Sequence, residues 1–170
     1  MAGGYSRVLA TVAALGLMAA APAGPEARIL AGESASAVLN DWCATHHLPP
    51  LHADLAPVAE KTPSRAARRG LAAAPGEEVR YRRVTLACGA TAVSEADNWY
   101  LPDHLTPEMN HRLETTDAPF GLVVRPLGFT RRTQATKTLR AGGQEIRAVL
   151  VTAAGAPFSY VVEDYAARVR

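Results

Sequence analysis

Two ionisable residues stand where the patterning of this sequence otherwise leaves apolar ones. In "YRRVTLACGATAVSEADNWYLP" (81–102), apolar and polar residues alternate up to a turn at Cys88-Gly89-Ala90 and then alternate again. That period of two is the mark of paired antiparallel strands. Arg82 shares a side with Val84, Leu86 and Cys88, whereas Tyr81, Arg83, Thr85 and Ala87 share the other. The first set is the more apolar, so Arg82 is expected to point into the core or into a cavity within it. A guanidinium there needs an anion, because an unpaired buried charge is costly. The acid set in a comparably apolar strand is Glu163, in "SYVVEDYAA", on a face with Val161 and Tyr165. Two arrangements satisfy this pattern. One is a structural Arg82–Glu163 ion pair, and the other is a dry pocket in which each side chain bonds an anionic, hydroxylated ligand.

Other chemistry finds little support. The sequence lacks a phosphate-binding loop, a dinucleotide fingerprint, an HExxH and a CxxC pair, so no metal and no cofactor is expected. His46, His47 and His52 are close in sequence, but not at a helical ligand spacing, and two prolines intervene. The hydroxyls and acid of Thr115-Thr116-Asp117 have no histidine nearby in sequence to complete a nucleophilic triad. "RAARR" (65–69) and Arg131-Arg132 read as solvated basic pairs, since no aromatic residues interleave with them as a nucleic-acid surface would require.

The elements that must position Arg82 and Glu163 follow from the rest of the pattern. Residues 34–45 place Ala35, Val38, Leu39, Trp42 and Cys43 on one helical face. Residues 46–69 hold four prolines without a sustained period and are expected to form a long connection. Strands are predicted over 79–88, 92–101, 128–139, 146–152 and 157–165. Thr106-Pro107-Glu108 opens a helix running to about Leu113. The stretch "LVVRPL" (122–127) takes no clear assignment. Strands joined by tight turns, with helices grouped between them, predict an α+β domain: one antiparallel sheet of five to six strands, with helices packed as flaps on one side.

The order of these pieces resembles the chorismate lyase family. "RRVTLACG", a strand ending in "NWYLP", then "LTPEMNHRLETTDAPFG" and finally "GAPFSYVVEDY" follow one another as in those enzymes, over residues 34–165. The resemblance implies cofactor-free elimination of pyruvate from chorismate to give 4-hydroxybenzoate, in a buried pocket under helical flaps. It implies that Arg82 binds the ring carboxylate and that Glu163 lies at the hydroxyl end of the ligand. Backbone amides at Ala35 and Phe120 would complete the site. The turn is shorter here, which leaves Arg83 as the alternative match, although facing favours Arg82. Asn98 stands where the better-known lyases carry an arginine, a change that favours a mono-anion over doubly charged chorismate. A related fold serves as an effector-binding domain in some transcription regulators. The second reading is therefore a non-catalytic protein that binds an aromatic carboxylate. No helix-turn-helix segment is evident, and a regulator in its own right is not expected.

Bulk properties set the remaining expectations. The 170 residues, 48% hydrophobic with a formal net charge of +2, suit one globular domain and imply neither a nucleic-acid nor an acidic-membrane partner. Val8–Ala21 is a 14-residue apolar run followed by small residues at Ala21-Pro22-Ala23, the pattern of an export signal. Residues 1–23 are thus expected to be removed and 24–170 to form the domain. The expected product is a periplasmic or secreted monomer without a membrane anchor. In such a compartment Cys43 and Cys88 either form a disulfide or remain as two small core residues.

Overall fold

The computed structural model describes residues 24–57 and 59–169, so the predicted export signal lies outside the described residues. Two short helices come first, α1 (Pro25–Leu30) and α2 (Ala35–Thr45), followed by strand β1 (Leu51–Leu55) and helix α3 (Arg65–Leu71). The hairpin β2 (Arg80–Cys88) and β3 (Thr91–Tyr100) leads to helices α4 (Pro107–Thr115) and α5 (Phe120–Val123). The chain ends in β4 (Thr130–Thr138), β5 (Gln144–Val151) and β6 (Pro157–Tyr165). All six strands join one antiparallel sheet in the order β1-β2-β3-β6-β5-β4. This is the single-sheet α+β architecture expected from the sequence.

Strand pairing fixes which residues share a face. Arg82 lies opposite Asn98, Asn98 opposite Val161, and Val161 opposite Ala148. One step along, Val84, Ala96, Glu163 and Ile146 form a parallel row. Directly opposed residues project to the same side, so Arg82, Asn98 and Glu163 rise from one face. Helices α1 and α2 cover one end of that face, burying Ile29, Val38 and Leu39 against Val84, Val93 and Ile146. Helices α4 and α5 cover the other end, where Met109, Leu113, Phe120 and Val123 meet Tyr100, Leu150 and Phe158. The gap between the two pairs of helices is where the polar row surfaces.

Residues 46–69 are not the plain connection expected. They contribute β1 and the start of α3, elements of five and seven residues that are too short to show a period through the prolines. β1 adds a strand to the edge of β2, with Leu51 opposite Cys88. Its outer side is partly closed, because the Ala53 N–H donates to the Asp117 carbonyl at 2.8 Å. Ser64 caps α3 by accepting from the Ala67 N–H. This helix lies on the reverse face, where Ala67 and Leu71 pack on Trp99, Val149 and Tyr160. Gly70 permits that approach, since a Cβ there would sit 2.8 Å from the Tyr160 ring. "LVVRPL" falls in α5 and a single 3₁₀ turn, Arg125–Leu127.

Cys43, near the end of α2, and Cys88, at the end of β2, form a disulfide with Cα atoms 5.8 Å apart. Both are fully buried. Of the two states open from the sequence, the bridged one is found, and it ties α2 to the sheet.

Candidate functional site

Between the two helical pairs the sheet face opens into a cavity with about 490 Å³ of empty space, its mouth included. Its floor is the polar row with Val84, Leu86, Ala96, Leu150 and Val161, and Phe120 and Phe129 stand in its walls. The starts of two helices form its roof. The first N–H groups of a helix have no acceptor within it, and Ala35 and Ser36 hold those positions in α2. Ser34, the N-cap residue, makes no side-chain capping bond, and its Oγ is buried without a partner. Gly121 of α5 comes so close that a Cβ there would lie 2.8 Å from the Ser36 Oγ and 3.0 Å from the Ser34 Oγ.

Arg82 is the centre of the floor. Only 7% of it is exposed, and its Nη2 donates to the Ala118 carbonyl at 3.1 Å, while Nε and Nη1 have no partner. Burial draws its pKa below the ordinary arginine value, with Tyr100 opposing the shift. The group stays a cation and carries an uncompensated charge. Beside it the Ser159 hydroxyl donates to Asn98 Oδ1 at 2.7 Å. The Asn98 Nδ2 is left buried and unpaired, a second donor directly across the strand pair from the first.

Of the two arrangements open from the sequence, the Arg82–Glu163 ion pair does not form. Glu163 accepts instead from the Arg131 Nη2 and, at 2.8 Å, from the Tyr165 hydroxyl. Arg131 enters from β4 opposite Leu150 and is buried, so it is not the solvated basic residue expected from Arg131-Arg132. Burial opposes its charge, but the Glu163 carboxylate and Tyr165 outweigh burial and hold its pKa above the ordinary value. Burial, reinforced by Glu163, pushes the Tyr165 phenol up, so it remains a neutral donor.

Arg82, Glu163, Ala35 and Phe120, the four residues singled out from the sequence, all line this one cavity. Arg83 does not. It lies on the reverse face and donates to Asp97 at 3.1 Å and to Glu95 at 2.8 Å. Sequence reasoning missed Arg131, Ser34 and the donor role of Asn98. The strand "TRRTQATKT" is polar on both sides, so alternation could not say which arginine faces inward. Among the described residues no group of His, Cys, Asp and Glu is placed to hold a metal. None of the described helices is long and apolar enough to cross a membrane.

Comparison with known proteins decides the family. An uncharacterized protein of Sinorhizobium fredii, y4mC, is 37% identical over 167 residues, which span 82% of this chain and 70% of that protein. The chain belongs to its family. No family model matches. Among solved structures, the effector domain of PhnF from Mycobacterium smegmatis superposes with a TM-score of 0.56 at 12% identity, over 76% of this chain and 88% of that domain. The whole PhnF chain gives a TM-score of 0.59 at 11% identity. Here too 76% of this chain is covered, but only 64% of PhnF, less than two thirds of its length. The ligand-binding domain of a putative GntR-family transcriptional regulator from Bordetella bronchiseptica gives 0.51 at 16% identity, over 69% of this chain and 83% of that one. The fold is thus that of GntR-regulator ligand-binding domains. These findings correct the membership of the chorismate lyase family expected from the motif order. The fold is related, but the family shown is that of the Sinorhizobium protein, and none of these structural neighbours is named as a lyase. Short motifs that follow the order of a shared fold reported the architecture and not the membership.

Proposed function

We propose that this protein is a non-catalytic, exported binder of a small aromatic carboxylate, held in the cavity above Arg82. The observation that carries this reading is the buried guanidinium with two unpartnered N–H donors, next to the unpartnered amide of Asn98. A carboxylate set against that pair would satisfy donors that are otherwise stranded, as charge-assisted bonds do. Phe120 and Phe129 offer apolar walls for a ring, and the start of α2 favours negative charge. Glu163 already accepts two bonds on one oxygen. A carboxylate has about four lone-pair sites, so it can still accept from a ligand hydroxyl. Engaged in this way, it is poorly placed to shuttle protons, which favours binding over turnover. GntR-regulator ligand-binding domains share the architecture and are by name binders of ligands.

Calorimetric titration of residues 24–170 with 4-hydroxybenzoate tests the reading. Saturable one-site binding is expected, and Arg82→Ala should weaken it by about ten- to a hundredfold, the range for a lost charge-assisted bond. Arg83→Ala should leave it unchanged. Equal effects of the two substitutions would remove Arg82 from the site. Incubation with chorismate should release no pyruvate above the uncatalysed rate, and release would replace the binder with an enzyme. Export is supported by the apolar segment at residues 8–21 and by the paired cysteines. Mass spectrometry of protein recovered outside the cytoplasm should find Gly24 at its N-terminus, and an intact Met1 would reject export.

A further inference from the structure

Among the described residues, three charged side chains line the cavity: Arg82, Arg131 and Glu163. All three are buried. Arg131 and Glu163 are in contact and cancel, and Tyr165 adds a neutral hydroxyl to the same carboxylate. The surplus is one positive charge, located on Arg82.

Resting on the reading just given, we infer that the Arg131–Glu163 pair limits the ligand to a single negative charge and excludes dianions. The ionic groups of the cavity are themselves buried, and charge among buried groups must balance locally. A mono-anion neutralises Arg82, whereas a second carboxylate would find Arg131, the other cation among the described lining residues, already taken by Glu163 and would be left without a counter-charge. Asn98 reinforces the limit, because it offers donors beside Arg82 without adding charge. Glu163 is therefore a specificity residue, setting how many charges the cavity accepts by holding Arg131 in reserve. Its substitution by glutamine keeps the shape, releases Arg131 and raises the surplus to two.

The test compares two probes of similar shape and different charge, 4-(hydroxymethyl)benzoate and terephthalate, by calorimetry on residues 24–170 at neutral pH. The unaltered chain should bind the mono-anion at least about tenfold more tightly, one step of 1.4 kcal/mol. In Glu163→Gln the preference should reverse, and terephthalate should raise the melting temperature that this substitution lowers. Tyr165→Phe, which leaves the charges intact, should keep the original preference. Asn98→Asp, which brings the surplus to zero without changing size, should lose mono-anion binding, and it decides the matter if Glu163→Gln does not fold. Equal affinity for both probes, or an unchanged preference in Glu163→Gln, would overturn the charge rule while leaving the binding site in place. Absence of binding by 4-hydroxybenzoate and both probes would overturn the site itself and the charge rule with it.

Discussion

At the scale of single residues, the cavity contains an energetic conflict. Arg82 is stripped of water and given one carbonyl in return. Buried cations are often replaced by apolar residues of similar size without loss of stability, and sometimes with gain. Arg82→Met should therefore leave the unliganded melting temperature equal or higher, by the equivalent of about 1 kcal/mol, while abolishing carboxylate binding. A clear fall in melting temperature would mean that the bond to Ala118 outweighs the cost of desolvation. Much of this conflict was legible in the sequence. Alternation alone put Arg82 on the side of Val84 and Leu86, and Glu163 on the side of Val161 and Tyr165. The partner of Glu163 was not legible, because β4 carries polar residues on both faces and only the pairing of Arg131 with Leu150 shows which way it turns.

Elements decide how the roof is held. The disulfide closes a loop between residues 43 and 88, and the chain-entropy relation gives it about 4 kcal/mol. Changing both cysteines to alanine should lower stability by about that amount in denaturant titrations, and a loss below about 1 kcal/mol would show that the unfolded chain is little constrained by it. The contact between the starts of α2 and α5 is tuned differently. Gly121→Ala would force the Ser34 and Ser36 side chains aside, so it should weaken ligand binding severalfold, with a smaller effect on melting. At this scale the sequence was informative for the hairpin, α2 and α4, where periodicity or a cap runs long enough to register. It was silent for β1, α3 and α5, each of seven residues or fewer, whose conformations are set by neighbours in the sheet and not by local pattern.

Across the whole molecule, the two faces of the sheet do different work. The face that bears the cavity leaves donors of Arg82 and Asn98 unsatisfied, while the reverse face engages Asp97 on all sides. That carboxylate accepts from Lys61 at 2.8 Å, from the Tyr81 hydroxyl and from Arg83, and the Trp99 indole donates to the Lys61 carbonyl at 2.8 Å. The segment before α3 is thereby fastened across the back of the site. Burial opposes the charge of Asp97, but its bonds to Lys61, Tyr81 and Arg83 hold its pKa below the ordinary 3.8. A depressed carboxylate stabilises above the unfolded value, so this contribution is present at neutral pH and is lost as pH falls from about 3.8 through the folded value. Asp97→Asn should be less stable than the parent at pH 7 and should show a flatter loss of stability below pH 4 in acid titrations followed by near-ultraviolet circular dichroism. An unchanged acid limb would assign that loss to other carboxylates.

The bridge between residues 43 and 88 secures the far end of α2, whereas the end bearing Ser34 meets α5 at a glycine and is held toward α1 by the Arg28–Glu33 ion pair. Were the Ser34 end to lift for a guest, the sulfur link would hold the other end in place, so the helix would tip and not detach. Reduction would release that pivot, and both capture and escape of the guest should quicken even where the equilibrium between them barely moves.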